Sequence, residues 1–289
     1  MRTFAYHAPQ SLTEAIGILA REGTGGKVLA GGTDLLIHIK ERGFVPRYLI
    51  SLRDVREVAS IGYDERSGLR IGAAAKLADV AAHPVVQERY PILVQGASLV
   101  GSLQIQNLGT VVGNLCNAAP SADCAPPLIA LGASVRAIGP GSERTIPLEA
   151  FFVGPSRTIL KEDELVAEVL VPPPPPRSGG AYERFTPRQE MDIAVVGVGA
   201  MVALGEQGEC ATVRICLGAV APTPIRATAA EAVLKGQVPS EALIERAADA
   251  AAGEARPITD QRGTAEYRIR LTRVLTKRTL LAAWEDARG

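Results

Sequence analysis

Cysteine is scarce here and badly spaced for metal chemistry. Only Cys116, Cys124, Cys210 and Cys216 occur, and no two form a CxxC pair. A metal centre or iron–sulfur cluster on this chain is therefore not expected. Buried free thiols in a reducing compartment are the simpler reading. Histidine is scarcer still, with His7, His38 and His83 scattered too widely to form a ligand set. Aromatic residues make up 4% of the chain, which disfavours a base-stacking platform. Neither charge is in excess: 31 Lys and Arg balance 31 Asp and Glu. No basic face stands out for nucleic acid or a membrane surface. No uncharged apolar run is long enough to span a bilayer. The first residues, Met1 to His7, carry no signal-peptide core, so a cytoplasmic location is expected. There is no GxSxG, no Ser/His/Asp spacing and no paired His, so no acid–base or nucleophile set is visible.

What is present is a large apolar fraction and two glycine turns. The 289 residues are 47% hydrophobic, enough for a sizeable core and two domains. Lys27-Val28-Leu29-Ala30 reads as a short strand, broken by Gly31 and Gly32. Thr33 and Asp34 are helix-capping types, and Leu35 onward has helical spacing. Such a strand–turn–helix can cradle an anion, because glycine admits close backbone approach and a helix start offers free N–H groups. An ordinary turn has the same appearance. A second turn, Asn107-Leu108-Gly109-Thr110-Val111-Val112-Gly113-Asn114-Leu115, repeats the composition and precedes Cys116-Asn117-Ala118-Ala119-Pro120-Ser121-Ala122-Asp123. Two such turns can clamp a diphosphate from both sides.

Ala30-Gly31-Gly32-Thr33-Asp34 and Thr110-Val111-Val112-Gly113-Asn114 resemble the two FAD-binding motifs of the flavoprotein (medium) subunit of molybdenum hydroxylases. That family includes carbon monoxide dehydrogenase and xanthine dehydrogenase. The resemblance extends through Pro120-Ser121-Ala122-Asp123 to Ala265-Glu266-Tyr267-Arg268. It implies an α+β chain: a two-lobed FAD-binding domain of the p-cresol-methylhydroxylase-like type, then a small domain of a three-stranded antiparallel sheet with helices. It also implies a molybdenum cofactor on a large partner subunit, [2Fe–2S] clusters on a small one, and a dimer of heterotrimers. FAD on this chain would pass electrons to an external acceptor, and no residue here would be catalytic. Some relatives carry a cysteine-rich cluster-binding loop that this sequence lacks. Two alternatives stay open: a stand-alone flavin-dependent oxidase or dehydrogenase of the same wider fold, and a flavin-free scaffold.

The resemblance assigns cofactor contacts to Lys27, Leu29, Ala30, Gly31, Gly32, Thr33, Asp34, Leu35, Thr110, Gly113 and Asn114. Lys27 is either a solvated strand edge or a contact to the adenine side. Asp34 would repel a phosphate through its carboxylate, so a helix cap with its N–H offered to the phosphate is expected. Relatives often have Gly where Val112 stands, and a side chain there forbids easy positive φ. Ala122 and Asp123 match the position that meets the ribityl chain; the bland reading of Asp123 is a cap on a helix from about residue 125. Val100, Leu165, Val166 and Ile193 resemble ring- or adenine-facing positions, but from the residues alone each reads as plain core. Arg184 stands where relatives place a flavin-contacting Lys, or is a solvated strand charge.

Along the chain, Ser11-Leu12-Thr13-Glu14 is a capping box, and Leu12, Ala15, Ile16 and Leu19 make one helical stripe. A helix to about Arg42 and strands at 48–51, 58–62 and 69–73 follow. Helices are expected at 77–82, 92–100 and 126–131, and strands at 134–138 and 164–171. Five prolines, Pro172 to Pro176, form a stiff linker. They divide an FAD-binding domain, 1–176 with lobes about 1–57 and 58–176, from a C-terminal domain, 177–289. The latter should hold strands 181–186, 193–204 and 210–217, and helices 227–234, 241–252 and 264–284. On the last helix Tyr267, Ile269, Leu271, Val274, Leu275 and Leu281 read as the apolar face.

Overall fold

The computed structural model describes residues 3–41, 43–188 and 191–289; the predicted helix end at Arg42 lies outside them. Three sheets of three or more strands organise the described residues, beside a two-stranded one of Phe152–Gly154 and Arg157–Thr158. The first is parallel, with Tyr48–Ser51 between Ala5–His7 and Gly26–Leu29. Its central strand is buried throughout. Helix Leu12–Glu22 makes the first crossover, and Ser11 caps it by accepting the N–H of Glu14. Helix Leu35–Glu41 makes the second.

The second sheet is antiparallel and five-stranded, in the order Ile61–Asp64, Gly68–Gly72, Leu165–Val171, Ser134–Gly139, Ser142–Pro147. Helix Val111–Asn117 packs on it, and helices Pro91–Ser98 and Ala125–Ala130 add Leu93, Ala97, Leu128 and Ile129 to its core. Helix Pro84–Arg89, begun by a proline, was not anticipated.

The third sheet pairs Ser178–Phe185, Val196–Leu204 and Cys210–Gly218 antiparallel, and a two-residue strand, Ile225–Arg226, extends the expected three strands to four. Its middle strand is buried at every position. On one side lies helix Ala265–Arg288; a Cβ on Gly179 would stand 2.5 Å from the N of Ala287. On the other, helix Ala125–Ala130 inserts so closely that a Cβ on Gly199 would stand 2.8 Å from the Pro126 carbonyl.

The last helix packs on the third sheet as expected, but its predicted face holds only in part: Leu275 is buried and Leu271 and Leu281 pack against the core. Tyr267, Ile269 and Val274 are 42%, 37% and 42% exposed, while Arg268, Thr272, Leu275, Thr276, Thr279, Leu280, Ala283 and Ala287 are buried. Where the helix comes closest to a glycine, at Gly179, only the small residues Ala283 and Ala287 are buried. Threonine fits because its hydroxyl bonds back one turn: Thr272 donates to the Arg268 carbonyl at 2.8 Å and Thr279 to that of Leu275 at 3.0 Å. No helix among the described residues is long and apolar enough to cross a membrane.

Candidate functional site

The two glycine turns meet. A Cβ on Gly31 would overlap the Leu108 carbonyl oxygen and lie 2.6 Å from the Gly109 Cα. A Cβ on Gly109 would lie 3.4 Å from the Thr33 hydroxyl, and one on Gly113 3.9 Å from the Ala30 Cβ. Gly32 has φ of +79°, a conformation that costs an L side chain roughly 1–2 kcal/mol. Among the described residues, the N–H groups of Gly31, Gly32, Thr33 and Asp34 donate to no protein acceptor. Four unspent donors around two touching glycine turns suit a diphosphate, so the residues present fit the group that the motifs imply.

The second turn differs from expectation. Thr110 caps helix Val111–Asn117, and its hydroxyl accepts the N–H of Gly113 at 2.9 Å. Gly113 therefore has ordinary helical backbone and no amide to spare. Val112 is buried in the same helical turn and needs no positive φ. Thr110→Ala is expected to lower stability by about 1 kcal/mol, read as a shift of the urea midpoint. The Oδ1 of Asn114 accepts the N–H of Cys124 at 3.3 Å, tying this helix to the segment that carries Asp123.

Asp123 caps nothing. The helix after it has Cys124 at its N-cap and no side-chain cap bond. Its carboxylate instead accepts from the Tyr182 hydroxyl at 2.7 Å and from Nη1 of Arg184 at 2.5 Å. The side chains of Asp123 and Arg184 are 9% and 4% exposed, so this is a buried ion pair joining the first part of the chain to the third sheet. Burial pushes the Asp123 carboxyl up to about 6, opposed by Arg184 and Tyr182. Burial and the neighbouring carboxylate raise the Tyr182 phenol well above its ordinary value. Arg184 is thus neither a solvated charge nor free. Tyr182 was missed by sequence reasoning, although it lies two residues from Arg184 on one strand and therefore on the same face. Its cross-strand partners are Gly199 for Tyr182 and Gly197 for Arg184. A Cβ on Gly197 would stand 2.8 Å from the Tyr182 hydroxyl.

Other candidates fall differently. Leu165 and Val166 lie on the central strand of the second sheet at 2% and 3% exposure, so core packing accounts for both. Ile193 is not core: it is 48% exposed in a loop, because the Asp192 carboxylate accepts the N–H groups of Ile193 and Arg188 and delays the strand to Val196. The Met191 N–H in that loop donates to the carbonyl of Gly101, the residue after Val100. Val100 and Ala122 are half-buried and buried respectively. Lys27 is exposed with its Nζ 5.9 Å from the Phe44 ring centroid. Asp34 is exposed and its carboxylate caps nothing among the described residues. Leu29, Ala30 and Leu35 are half-buried around the first turn. Burial raises all four thiols, Cys210 to about 11 and Cys116 to about 12, as expected of structural cysteines.

Two family models match this chain: the FAD binding domain in molybdopterin dehydrogenase over residues 2–174, and the CO dehydrogenase flavoprotein C-terminal domain over residues 181–283. The chain belongs to the FAD-binding subunits of the molybdopterin dehydrogenases, which are oxidoreductases. It is 36% identical to the carbon monoxide dehydrogenase medium chain of Hydrogenophaga pseudoflava, over 97% of each chain. It is 31% identical to the xanthine dehydrogenase FAD-binding subunit of Escherichia coli O157:H7, over 99% of this chain and 97% of that one. It superposes on the solved Hydrogenophaga pseudoflava carbon monoxide dehydrogenase that lacks the Mo-pyranopterin moiety with a TM-score of 0.94 and 36% identity, covering 99% and 98% of the two chains.

Proposed function

We propose that this chain is the electron-transfer subunit of a cytoplasmic, heteromeric molybdenum hydroxylase. A large subunit with a molybdenum cofactor would oxidise the substrate, and [2Fe–2S] clusters on a small subunit would feed electrons to FAD here. The assembly would be a dimer of heterotrimers. Bound flavin supplies the redox chemistry, passing electrons to an external acceptor. The observation that carries the reading is the contact between the two glycine turns, with the amides of Gly31 to Asp34 unspent beside it.

In this reading Gly31, Gly32, Thr33, Asp34 and Leu35 donate backbone N–H groups to the diphosphate. Lys27, Leu29 and Ala30 flank them. Thr110, Gly113 and Asn114 build the facing wall. Ala122, Asp123 and Arg184 support the ribityl and ring side, and half-buried Val100 and exposed Ile193 cover the flavin. The proline run separates an FAD-binding domain, 1–176 in two lobes, from a C-terminal domain, 177–289. The three sheets and the two family matches support that division.

The purified chain, loaded with FAD, is expected to show a flavin spectrum near one equivalent and slow diaphorase activity. It should hydroxylate no heterocycle or aldehyde until molybdenum and iron–sulfur subunits are added. Steady hydroxylation by the metal-free chain overturns the proposal.

A further inference from the structure

The C-terminal stretch Ala265-Glu266-Tyr267-Arg268 holds a residue that the diphosphate site does not use. Arg268 is buried, with its side chain 4% exposed, on a helix whose neighbouring positions point to water. A buried guanidinium is retained only where fixed acceptors surround it. Here Nη1 donates to the carbonyls of Val195 at 2.7 Å and Ala219 at 3.2 Å, and Nη2 to the Asp260 carboxylate at 2.7 Å.

Both carbonyls belong to segments that end at the candidate flavin edge. Val195 closes the loop that carries Asp192 and Ile193, and its N–H donates to the Phe185 carbonyl, next to Arg184. Ala219 holds a left-handed φ of +62° without being glycine. Its N–H donates to the Pro120 carbonyl at 2.7 Å, and Pro120 opens the segment that ends in Asp123. One side chain thus ties two segments that hold the two members of the buried ion pair. Tyr267 adds an edge contact to the Phe185 ring, with centroids 6.0 Å apart.

We propose that Arg268 is a positioning residue for the flavin: through Val195 and Ala219 it holds the Asp123 segment and the Arg184 strand in register across the site. This rests on the FAD reading above. A planar fork serves several acceptors at once, whereas an ammonium on a flexible stem does not, so lysine is not an equivalent replacement.

The test uses the full chain with the variants R268Q and R268K, and Leu275→Ala as a control. Leu275 is buried on the same helix, in the core that also holds Val195, but makes no hydrogen bond to either tether, so the control lowers the melting temperature without removing one. Amide exchange and FAD titration are followed well below every melting temperature. Expected in both Arg268 variants are at least about tenfold faster exchange at Ala219 and at least about tenfold weaker FAD binding, with R268K the milder. The control should keep wild-type values for both. Unchanged FAD affinity in R268Q and R268K overturns the assignment, whatever the exchange shows. A control that reproduces both changes overturns it too, since stability alone would then explain them. A wild-type chain that takes up no FAD sinks the flavin reading itself, and this assignment with it.

Discussion

Replacing Asp123 by alanine should destabilise the protein by about 3–5 kcal/mol at neutral pH and abolish FAD retention, because it strands a buried guanidinium without its counter-charge. The Arg184 side chain is 4% exposed, so water cannot take over the lost carboxylate, and the Tyr182 hydroxyl loses its acceptor as well. A helix cap at this position would cost only about 1 kcal/mol. The difference is large enough for urea unfolding to separate the two roles. Arg184→Ala should be comparably harmful, since it strands the carboxylate. A double variant, Asp123→Leu with Arg184→Met, should lose less than the two single losses combined, because an apolar pair leaves no unpaired charge. Independent, additive losses would mean that the two groups do not act as a pair.

The same carboxyl sets a pH dependence with a definite sign. Its folded value is raised from the ordinary 3.8 to about 6, chiefly by burial. Between those values the folded chain keeps a proton that the unfolded chain has released, so stability falls as pH rises through this window. The interval corresponds to roughly 3 kcal/mol. Glu164, Asp192 and Asp260 have lowered values and give the opposite slope at lower pH. They are common to wild type and to Asp123→Asn, so the difference between the two unfolding curves isolates Asp123. That difference should shift against the wild type from pH 4 to pH 6.5. A flat difference would place the carboxyl in a wetter setting than its 9% side-chain exposure indicates.

The legible parts of this sequence are those governed by neighbours in the chain. The helix cap at Ser11 and the strand Tyr48–Ser51 follow from local chemistry, and the structure has both, although the Glu14 carboxylate accepts the N–H of Gln10 where a capping box would use that of Ser11. The misreadings come from contacts distant in sequence. The small buried residues at the end of the last helix, Ala283 and Ala287, answer to Gly179, about a hundred positions earlier, whose missing side chain lets the helix sit on the strand. The strand expected from residue 193 starts at Val196 because Asp192 spends its carboxylate on nearby amides. In the site, both glycine turns and Asp123 could be named, but not what they touch. Tyr182 gave no signal beyond its period-two spacing from Arg184. The division of labour among Gly31, Gly32 and Gly113 was also hidden, since all three look alike in a motif.

Gly31→Ala should therefore be the most damaging of the three glycine substitutions for FAD binding, with a loss of at least about a hundredfold, or roughly 3 kcal/mol. The added Cβ meets backbone, the Leu108 carbonyl and the Gly109 Cα, and neither can rotate away as a side chain would. The turns must separate, and the donors on Gly31 to Asp34 then lose their alignment with the facing wall. Gly32→Ala meets side-chain atoms instead, with the Leu29 Cδ1 at 2.9 Å, but it also forces a Cβ onto a φ of +79°. It should cost less affinity and some stability, about 1–2 kcal/mol. Gly113→Ala adds a methyl inside a helix, 3.0 Å from the Thr110 hydroxyl, and should be the mildest. Overpacking elsewhere in proteins typically costs about 1–3 kcal/mol, and Gly31, Gly32 and Gly113 are themselves half-buried, so all three variants should stay folded. Circular dichroism with flavin quantification reads both quantities together. Equal FAD loss in all three, or stoichiometric FAD in Gly31→Ala, would mean that contact between the turns does not form the diphosphate cradle.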